Sequence, residues 1–455
     1  MNNKSLIKLS IFLATILVAC MVRLIYISQS STLSVHYANV RLAKLEDQVQ
    51  RGNFYDTSGL ALTQNIEDTR HYLYDGRYAH SVGYVQFGEY GLEKELSKHL
   101  LSPTYNLVEI AKSLFTGSQF TGRDVFLNID DTLQQVCEQV LADSKGAIIL
   151  IESDTGKIRC MYSSPSFNPN MQLDDWQNLL SDTANAPLVN RVTQGVYPPG
   201  STFKIISSIA LMNKMPDEFS QLEYNCTGEI LVDNQYTISC YNNVSHGKVN
   251  LESAFKHSCN TYFVNLANYI SYEELANTAE QLLFNQALPT STLVATSIFN
   301  RSDEDVFSNA LSYIGQGKTL VTPFHLAMLS SAIANDGILM QPYLTASIEG
   351  SRIKNLPVYY GELMTEEMAM TVANMMRETV KTGTGAALNS LDGDIGIKTG
   401  TAENETDKAH SWVTGFMKQD ASSLAFTILL ENQEGMAIEA TKQILQAYLE
   451  NNRNY

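Results

Sequence analysis

A serine and a lysine three residues apart are the pair in this sequence best suited to covalent chemistry. They are Ser201 and Lys204, which follow Pro198-Pro199-Gly200 and precede a long apolar run. The Pro-Pro-Gly string predicts an abrupt turn, and the apolar run predicts a buried helix. Ser201 would then lie at the helix N-terminus, where backbone N–H groups stabilise a developing oxyanion. Lys204, one turn later, is placed to act as the base that activates the serine if burial removes its charge.

The Ser-x-x-Lys pattern alone carries little information, because it occurs five times in this chain. The other copies are Ser5–Lys8, Ser245–Lys248, Ser253–Lys256 and Ser351–Lys354. An ordinary helix cap followed by a surface lysine explains such a string equally well. The interpretation of Ser201 therefore depends on further motifs.

Two more triplets follow in the chain, and each has a decoy. Ser258-Cys259-Asn260 follows a helical segment, and Lys398-Thr399-Gly400-Thr401 follows a predicted strand; the decoys are Ser166-Phe167-Asn168 and Lys381-Thr382-Gly383-Thr384. On an edge strand, Gly400 would let a substrate backbone lie against the protein, and the threonine hydroxyls would receive a carboxylate. Each triplet alone favours a structural role. Their order and context together favour a catalytic one.

In this order the three motifs resemble those of the penicillin-binding protein and serine β-lactamase superfamily. Further stretches resemble class B penicillin-binding proteins more closely than β-lactamases. They are Arg51–Asp56, Gly91-Leu92-Glu93, Gly122–Asp130, Gly315-Gln316-Gly317 with Thr322-Pro323, and His410–Phe416. The likeness covers nearly the whole chain from residue 50 onward.

The resemblance implies a peptidoglycan D,D-transpeptidase that forms cross-links through a serine acyl-enzyme. Ser201 would attack the carbonyl between the two terminal D-alanines of a stem peptide, and Lys204 would take its proton. Ser258 and Lys398 would pass a proton to the leaving D-alanine, and Asn260 would hold the amide of the donor. An amine from a neighbouring stem then completes the cross-link, while β-lactams mimic the donor.

The third motif is implied to bind the substrate. Thr399 and Thr401 would receive the terminal carboxylate beside Gly400, and the backbone N–H groups of Ser201 and Thr401 would form the oxyanion hole. This implied mechanism uses no metal or cofactor. By analogy with class B proteins, we also expect a membrane partner, a polytopic glycan polymerase of the SEDS type.

Two alternatives stay open at this point: a β-lactam-hydrolysing enzyme of the same fold, and a non-catalytic penicillin-binding scaffold or sensor. A β-lactam-hydrolysing enzyme needs a positioned water and a base to hydrolyse the acyl-enzyme. It has no need of an N-terminal module or a membrane anchor, which counts against this alternative. The intact motifs count against a catalytically dead scaffold.

The order of the predicted elements indicates an α/β (α+β) fold. Strand signals occur at Ala147–Ile151, Lys157–Tyr162, Ile395–Thr401, Ser411–Phe416 and Leu424–Leu430. Because strands come first and last, both ends of this domain should build one antiparallel sheet. Helices should flank the sheet, and the resemblance implies an inserted all-helical subdomain. An amphipathic helix closes the chain.

The chain is long enough for two or three domains, with 455 residues and a net charge of −17 that counts against nucleic acid as a partner. Residues 6–27 are nearly all apolar, broken by Lys8 and Arg23. They predict a single-pass anchor in the cell membrane with the catalytic domain outside the cytoplasm. A cleaved signal peptide, a core helix and a lipoprotein processing site ending at Cys20 are the alternatives. The predicted division is a cytoplasmic tail (1–5), the anchor (6–27), a small mixed N-terminal module with linker (28–143) and the transpeptidase domain (144–455).

The six cysteines show no C-x-x-C spacing. Cys226 and Cys240 flank Ile230–Ile238, a predicted hairpin with an Asp233-Asn234 turn. A disulfide between them and two free thiols are both compatible with this spacing. A zinc site that includes His246 is rejected here because no fourth ligand is evident.

Overall fold

The computed structural model describes residues 12–21, 23, 49–67, 69–103, 119–301, 305–350, 355–404, 408–419 and 422–453. Residues 12–21 are helical. Within the described ranges, no helix has both the length and the apolar character that crossing a membrane requires. The predicted anchor over residues 6–27 lies partly outside these ranges and stays a prediction.

The strands and helices are numbered in chain order. The strands are β1 (Val49–Gln50), β2 (Phe54–Tyr55), β3 (Thr63–Ile66), β4 (Thr69–Tyr72), β5 (Phe120–Thr121), β6 (Val125–Leu127), β7 (Gly146–Glu152), β8 (Ile158–Ser164), β9 (Tyr224–Cys226), β10 (Glu229–Val232), β11 (Tyr236–Ser239), β12 (Gly247–Val249), β13 (Ile338–Met340), β14 (Thr345–Ile348), β15 (Tyr359–Glu362), β16 (Asp394–Ala402), β17 (His410–Gln419) and β18 (Ser422–Leu430). After the helical residues 12–21, the helices are α1 (Gly91–Glu95), α2 (Ser97–Leu100), α3 (Asp131–Val140), α4 (Leu173–Ser181), α5 (Lys204–Lys214), α6 (Leu251–Lys256), α7 (Asn260–Asn265), α8 (Tyr272–Gln281), α9 (Val306–Ser312), α10 (Pro323–Ala334), α11 (Glu366–Thr382) and α12 (Ala437–Arg453). Short 3₁₀ helices cover Gly200–Phe203, Phe219–Gln221, Tyr241–Asn243, Leu266–Asn268 and Ala386–Leu388.

The chain divides into two compact units. The first comprises Met1–Gly52 with Glu95–Asp124, and the second comprises Asn53–Lys94 with Val125–Tyr455. In the first unit, β1 pairs in parallel with β5. These units differ from the predicted N-terminal module (28–143) and transpeptidase domain (144–455). The predicted boundary between residues 143 and 144 stays a prediction.

A five-stranded antiparallel sheet forms the centre of the second unit. Its strand order is β16-β17-β18-β7-β8. The first two strands of the domain, β7 and β8, therefore pair next to the last three along the chain, and β16 lies at an edge. The predicted sheet built from both ends of the domain is confirmed.

Helices cover both faces of this sheet. Alternate strand residues such as Ile148, Leu150 and Phe426 pack with α3 and α12 in one apolar core. Successive residues of a strand point to opposite faces of the sheet. Val413 belongs to this core, so its neighbour Thr414 lies on the opposite face, where its hydroxyl donates to the Leu326 carbonyl of α10. Every residue of α10 is buried, which agrees with its predominantly apolar character.

Three buried hydroxyls fasten α10 to the sheet. The Thr414 hydroxyl lies 2.8 Å from Ser330 Oγ on α10 and 2.7 Å from Thr427 Oγ1 on β18. All three residues are fully buried. Because Thr414 is paired with Lys398 across β16 and β17, this contact also fixes the strand that carries the third motif.

The prediction of an all-helical subdomain in the segment between β8 and β13 is wrong. It contains two antiparallel strand pairs, β10 with β11 and β9 with β12. The predicted turn at Asp233-Asn234 is present, with φ of 50° at both residues. These strands have three or four residues and are partly exposed, so their period-two pattern is too short to distinguish from loop.

We predict that Thr414→Val lowers the free energy of unfolding by about 1–3 kcal/mol, because it leaves buried hydroxyl groups without a partner. Thr183→Val, at an exposed threonine, should change it by less than about 0.5 kcal/mol. Urea denaturation of both variants checks this. Equal stability of the two variants would contradict the assigned role of the buried contact.

Candidate active site

The turn that carries Ser201 packs directly on the strand that carries the third motif. Ser201 lies in the 3₁₀ helix Gly200–Phe203, which runs straight into α5. Gly200 has a φ of 53°, and a Cβ there would lie 2.4 Å from the carbonyl oxygen of Thr401. Its N–H donates to the Gly315 carbonyl at 2.9 Å. Only glycine fits this position, which explains the Pro-Pro-Gly-Ser order.

Lys204, the first residue of α5, is completely buried. Its Nζ donates to the Ser258 carbonyl at 2.7 Å, to Ser258 Oγ at 3.2 Å and to Asn260 Oδ1 at 2.7 Å. Burial lowers the pKa of Lys204 from 10.5 to about 7. Near neutral pH this amine is therefore able to accept a proton.

Ser258 lies between α6 and α7 with a φ of 56°, a conformation that a serine adopts only when its surroundings hold it there. Its hydroxyl oxygen lies 3.1 Å from Lys398 Nζ as well as 3.2 Å from Lys204 Nζ. The strained backbone therefore places one hydroxyl between two lysine amines.

Lys398 is also completely buried, on the edge strand β16. Its Nζ donates to the Thr399 carbonyl at 2.9 Å. Burial, and then the charge of Lys204, lower the pKa of Lys398 well below its usual value. Within the described part of the chain, neither lysine forms an ion pair with a carboxylate. Two unpaired buried charges this close are costly, so a proton is easily moved among these groups.

The remaining residues of the third motif surround the same place. Thr399 and Thr401 are half-buried, whereas Gly400 is fully buried. A Cβ on Gly400 would lie 2.9 Å from Thr202 Cγ2 and 3.1 Å from the Pro199 carbonyl oxygen. The structure thus gives Gly400 a packing role against the nucleophile's turn. Its contact with a substrate backbone stays a prediction.

The contacts separate the motifs from their decoys. Lys204, Ser258, Asn260 and Lys398 form one hydrogen-bonded group. Ser201 lies three residues before Lys204, in the turn that packs on Thr401 through Gly200. Lys381 is exposed and pairs with Glu378 at 2.7 Å, and Ser166 Oγ donates to the Gly76 carbonyl. The individual catalytic and binding roles implied by the resemblance stay predictions.

A second cluster of side chains includes Cys259, the middle residue of the second motif. Its members are Cys226, Cys240, His246 and Cys259, whose ligand atoms all lie within 4.8 Å of one another. Cys240 Sγ is 3.8 Å from both other sulfurs, and Cys226 Sγ is 3.4 Å from His246 Nδ1. The cysteines are free, which settles the question of a Cys226–Cys240 disulfide for this structure.

The reason for rejecting a zinc site, the lack of a fourth ligand, is wrong, because Cys259 is a fourth candidate. Its position as the variable residue of Ser258-Cys259-Asn260 gives no sign of this in the sequence. Sulfur ligands 2.3 Å from a tetrahedral ion lie about 3.8 Å apart, which the cluster matches. Hydrogen bonding between Cys240 and Cys259 lowers the pKa of the first and raises that of the second, so one negative charge is already favoured. The donor set therefore fits a zinc ion.

The comparison with known families agrees with this geometry. Residues 146–450 match the penicillin-binding protein transpeptidase domain. The chain belongs to that family. It is 31% identical over 359 residues to "Peptidoglycan D,D-transpeptidase PbpA" of Mycolicibacterium smegmatis, covering 72% of each chain. It is 28% identical over 446 residues to "Peptidoglycan D,D-transpeptidase MrdA" of Acinetobacter baumannii, covering 84% of this chain and 66% of the other.

A solved structure of the family has the same fold. The imipenem acyl-enzyme complex of penicillin-binding protein A from M. tuberculosis superposes with a TM-score of 0.80 at 27% identity, covering 89% of this chain and 99% of the other. The mixed α/β transpeptidase fold and the resemblance to class B penicillin-binding proteins are therefore confirmed.

We predict that Lys398→Ala slows acylation by a penicillin by about 10²–10⁴-fold, the range for loss of a proton-transfer group. Lys381→Ala, in the exposed decoy, should leave the rate unchanged. Intact-mass kinetics of the two variants make the comparison. Equal rates in the two variants would mean that the wrong Lys-Thr-Gly motif has been chosen.

Proposed function

We propose that this chain is a serine D,D-transpeptidase that cross-links peptidoglycan stem peptides and is inhibited covalently by β-lactams. The observation that carries the proposal is the Ser258 hydroxyl shared by Lys204 and Lys398, two buried amines without a carboxylate partner among the described residues. The names of the relatives support the same reaction, and the acyl-enzyme complex of the M. tuberculosis protein supports the serine chemistry.

Acylation uses the two lysines in different roles. The Ser201 oxygen forms a bond to the carbonyl carbon between the two D-alanines, and its proton passes to Lys204 Nζ. The C–N bond to the terminal D-alanine then breaks. The leaving amine takes a proton from the Ser258 hydroxyl, which Lys398 restores. Backbone N–H groups of Ser201 and Thr401 stabilise the oxyanion.

Aminolysis then regenerates the enzyme. The amine of a second stem attacks the ester carbonyl and gives up one proton through the Ser258 hydroxyl to Lys398, which restores Lys398. The amide bond forms as the C–O bond to Ser201 breaks, and the Ser201 oxygen recovers its proton from Lys204. Asn260 Oδ1 is hydrogen-bonded to Lys204 at 2.7 Å, and its Nδ2 donates to the Ser239 carbonyl at 2.9 Å. Asn260 therefore orients the base, in addition to its implied contact with the donor amide.

We predict that Ser201→Ala abolishes the covalent penicillin adduct, because the attacking hydroxyl is lost. Ser253→Ala, in a decoy Ser-x-x-Lys motif, removes only a helix-capping hydroxyl and should retain the adduct. Intact-mass spectrometry of the full chain with peptide mapping measures both.

The same measurement separates the alternatives. A long-lived adduct on Ser201 supports the transpeptidase. Rapid release with drug turnover would instead favour a β-lactam-hydrolysing enzyme, and no adduct on the wild-type chain would favour a non-catalytic scaffold. An adduct that persists in Ser201→Ala would contradict the assignment of the nucleophile.

The cluster of Cys226, Cys240, His246 and Cys259 supports a second function, the binding of a structural zinc ion. Four protein ligands leave no open position, which is typical of a structural rather than a catalytic ion. Bound there, zinc supplies a cross-link between the β9–β12 segment and the N-terminus of α7, which begins at Asn260. The second motif would thereby be held in its strained conformation.

We predict about one zinc per purified chain, measured by inductively coupled plasma mass spectrometry. Cys240→Ser should lose the metal and lower the melting temperature, because it removes the sulfur between the other two. Cys137→Ala, at a buried thiol in the sheet core, should keep the metal. A metal-free wild-type chain with a disulfide within the cluster would contradict the proposal.

The setting of the enzyme is also a proposal. The apolar stretch 6–27 supports a single-pass anchor in the cell membrane with the catalytic domain outside the cytoplasm. The likeness to class B proteins supports a polytopic SEDS-type glycan polymerase as the partner. Co-purification from membranes tests that partnership.

A further inference from the structure

One residue of the decoy motif lies beside the true third motif. Thr384 ends the string Lys381-Thr382-Gly383-Thr384, and its Oγ1 lies 2.6 Å from Thr399 Oγ1. Thr384 is exposed and Thr399 is half-buried. The two hydroxyls therefore form a hydrogen-bonded pair that solvent or a ligand is able to reach.

The backbone fixes Thr384 at this place. Its N–H donates at 3.2 Å to the carbonyl of Lys256, the last residue of α6, two residues before Ser258. The preceding Gly383 approaches the same carbonyl so closely that a Cβ would lie 2.4 Å from it. Thr384 thus spans from the helix that leads into the second motif to the strand of the third.

We propose that Thr384 is a positioning residue for the carboxylate of the substrate. When the Thr384 hydroxyl donates to Thr399 Oγ1, the Thr399 hydroxyl keeps its own hydrogen to donate. A donor whose oxygen already accepts a hydrogen bond binds an anion more strongly. The ligand is the terminal carboxylate of a stem peptide or the equivalent carboxylate of a β-lactam, so this inference rests on the proposed function.

Alternative uses of this pair do not match its chemistry. Lys398 Nζ donates to the Thr399 carbonyl at 2.9 Å, so an amine that carries a positive charge when protonated lies on the same residue and favours an anion beside it. Two adjacent hydroxyls with one spare hydrogen suit an oxygen acceptor better than a donor group. The exposed position of Thr384 also means that its removal leaves no buried cavity.

The test compares a penicillin with its methyl ester, which lacks the anionic carboxylate. Thr384→Val should lower the second-order rate of acylation by the free acid by up to about tenfold, the loss expected for one neutral hydrogen bond. The rate of acylation by the ester should change by less than about twofold. Thr384→Ser keeps the hydroxyl and should restore the rate with the acid. Thr382→Val, two residues away at an exposed hydroxyl that accepts a hydrogen bond from Lys256 Nζ at 3.3 Å, is the matched control and should change neither rate.

The outcomes separate this inference from the proposed function. An equal loss with acid and ester would indicate a purely structural role, and no loss with either would mean that Thr384 does not assist binding; both overturn the inference. A wild-type chain that forms no adduct with the acid would overturn the proposed function, and this inference with it.

Discussion

Two lysine side-chain amines buried around one serine hydroxyl impose the main constraint on this structure. Lys204 and Lys398 have no accessible surface, and each donates to Ser258 Oγ. The ring centroids of Phe263 and Phe255 lie 5.4 Å and 5.6 Å from Lys204 Nζ and Lys398 Nζ. Among the described residues, aromatic faces and not carboxylates therefore partly offset positive charge on these amines. Burial of this kind lowers the pKa of both lysines, which is the property that a proton-transfer site requires.

The surrounding elements hold these groups in place. The turn before Ser201 packs on β16 through Gly200, and Trp412 on β17 donates to the Pro198 carbonyl at 3.1 Å. Behind the site, Ser330, Thr414 and Thr427 fasten α10 to the sheet. Ser258, with its positive φ, accepts a hydrogen bond from Lys204 at its carbonyl, and the next residue, Cys259, belongs to the cysteine cluster. The strain at Ser258 is thus balanced by packing elsewhere.

The sequence predicts the parts of this arrangement that depend on local patterns. The apolar runs of β7 and β18, the Asp233-Asn234 turn and the final helix follow directly from periodicity and turn chemistry. The contacts that depend on the folded chain do not. Cys259 lies close to three residues that precede it in the chain by 13, 19 and 33 positions, and no spacing rule predicts that cluster. The Thr384–Thr399 contact, between a helix end and a strand, is likewise not predictable from spacing. The packing role of Gly400 is also not predictable from the sequence, because it depends on the turn around Gly200 packing against β16 in the folded chain.

The most direct test of the account is the pH dependence of acylation of the wild-type chain by a penicillin, measured between pH 5 and 9 by rapid-quench mass spectrometry. Below its lowered pKa of about 7, Lys204 is protonated and unable to accept the Ser201 proton. The account predicts a rate that rises about tenfold per pH unit below this value and levels off above it. A rate that shows no inflection near neutral pH would contradict the role of Lys204 as the base.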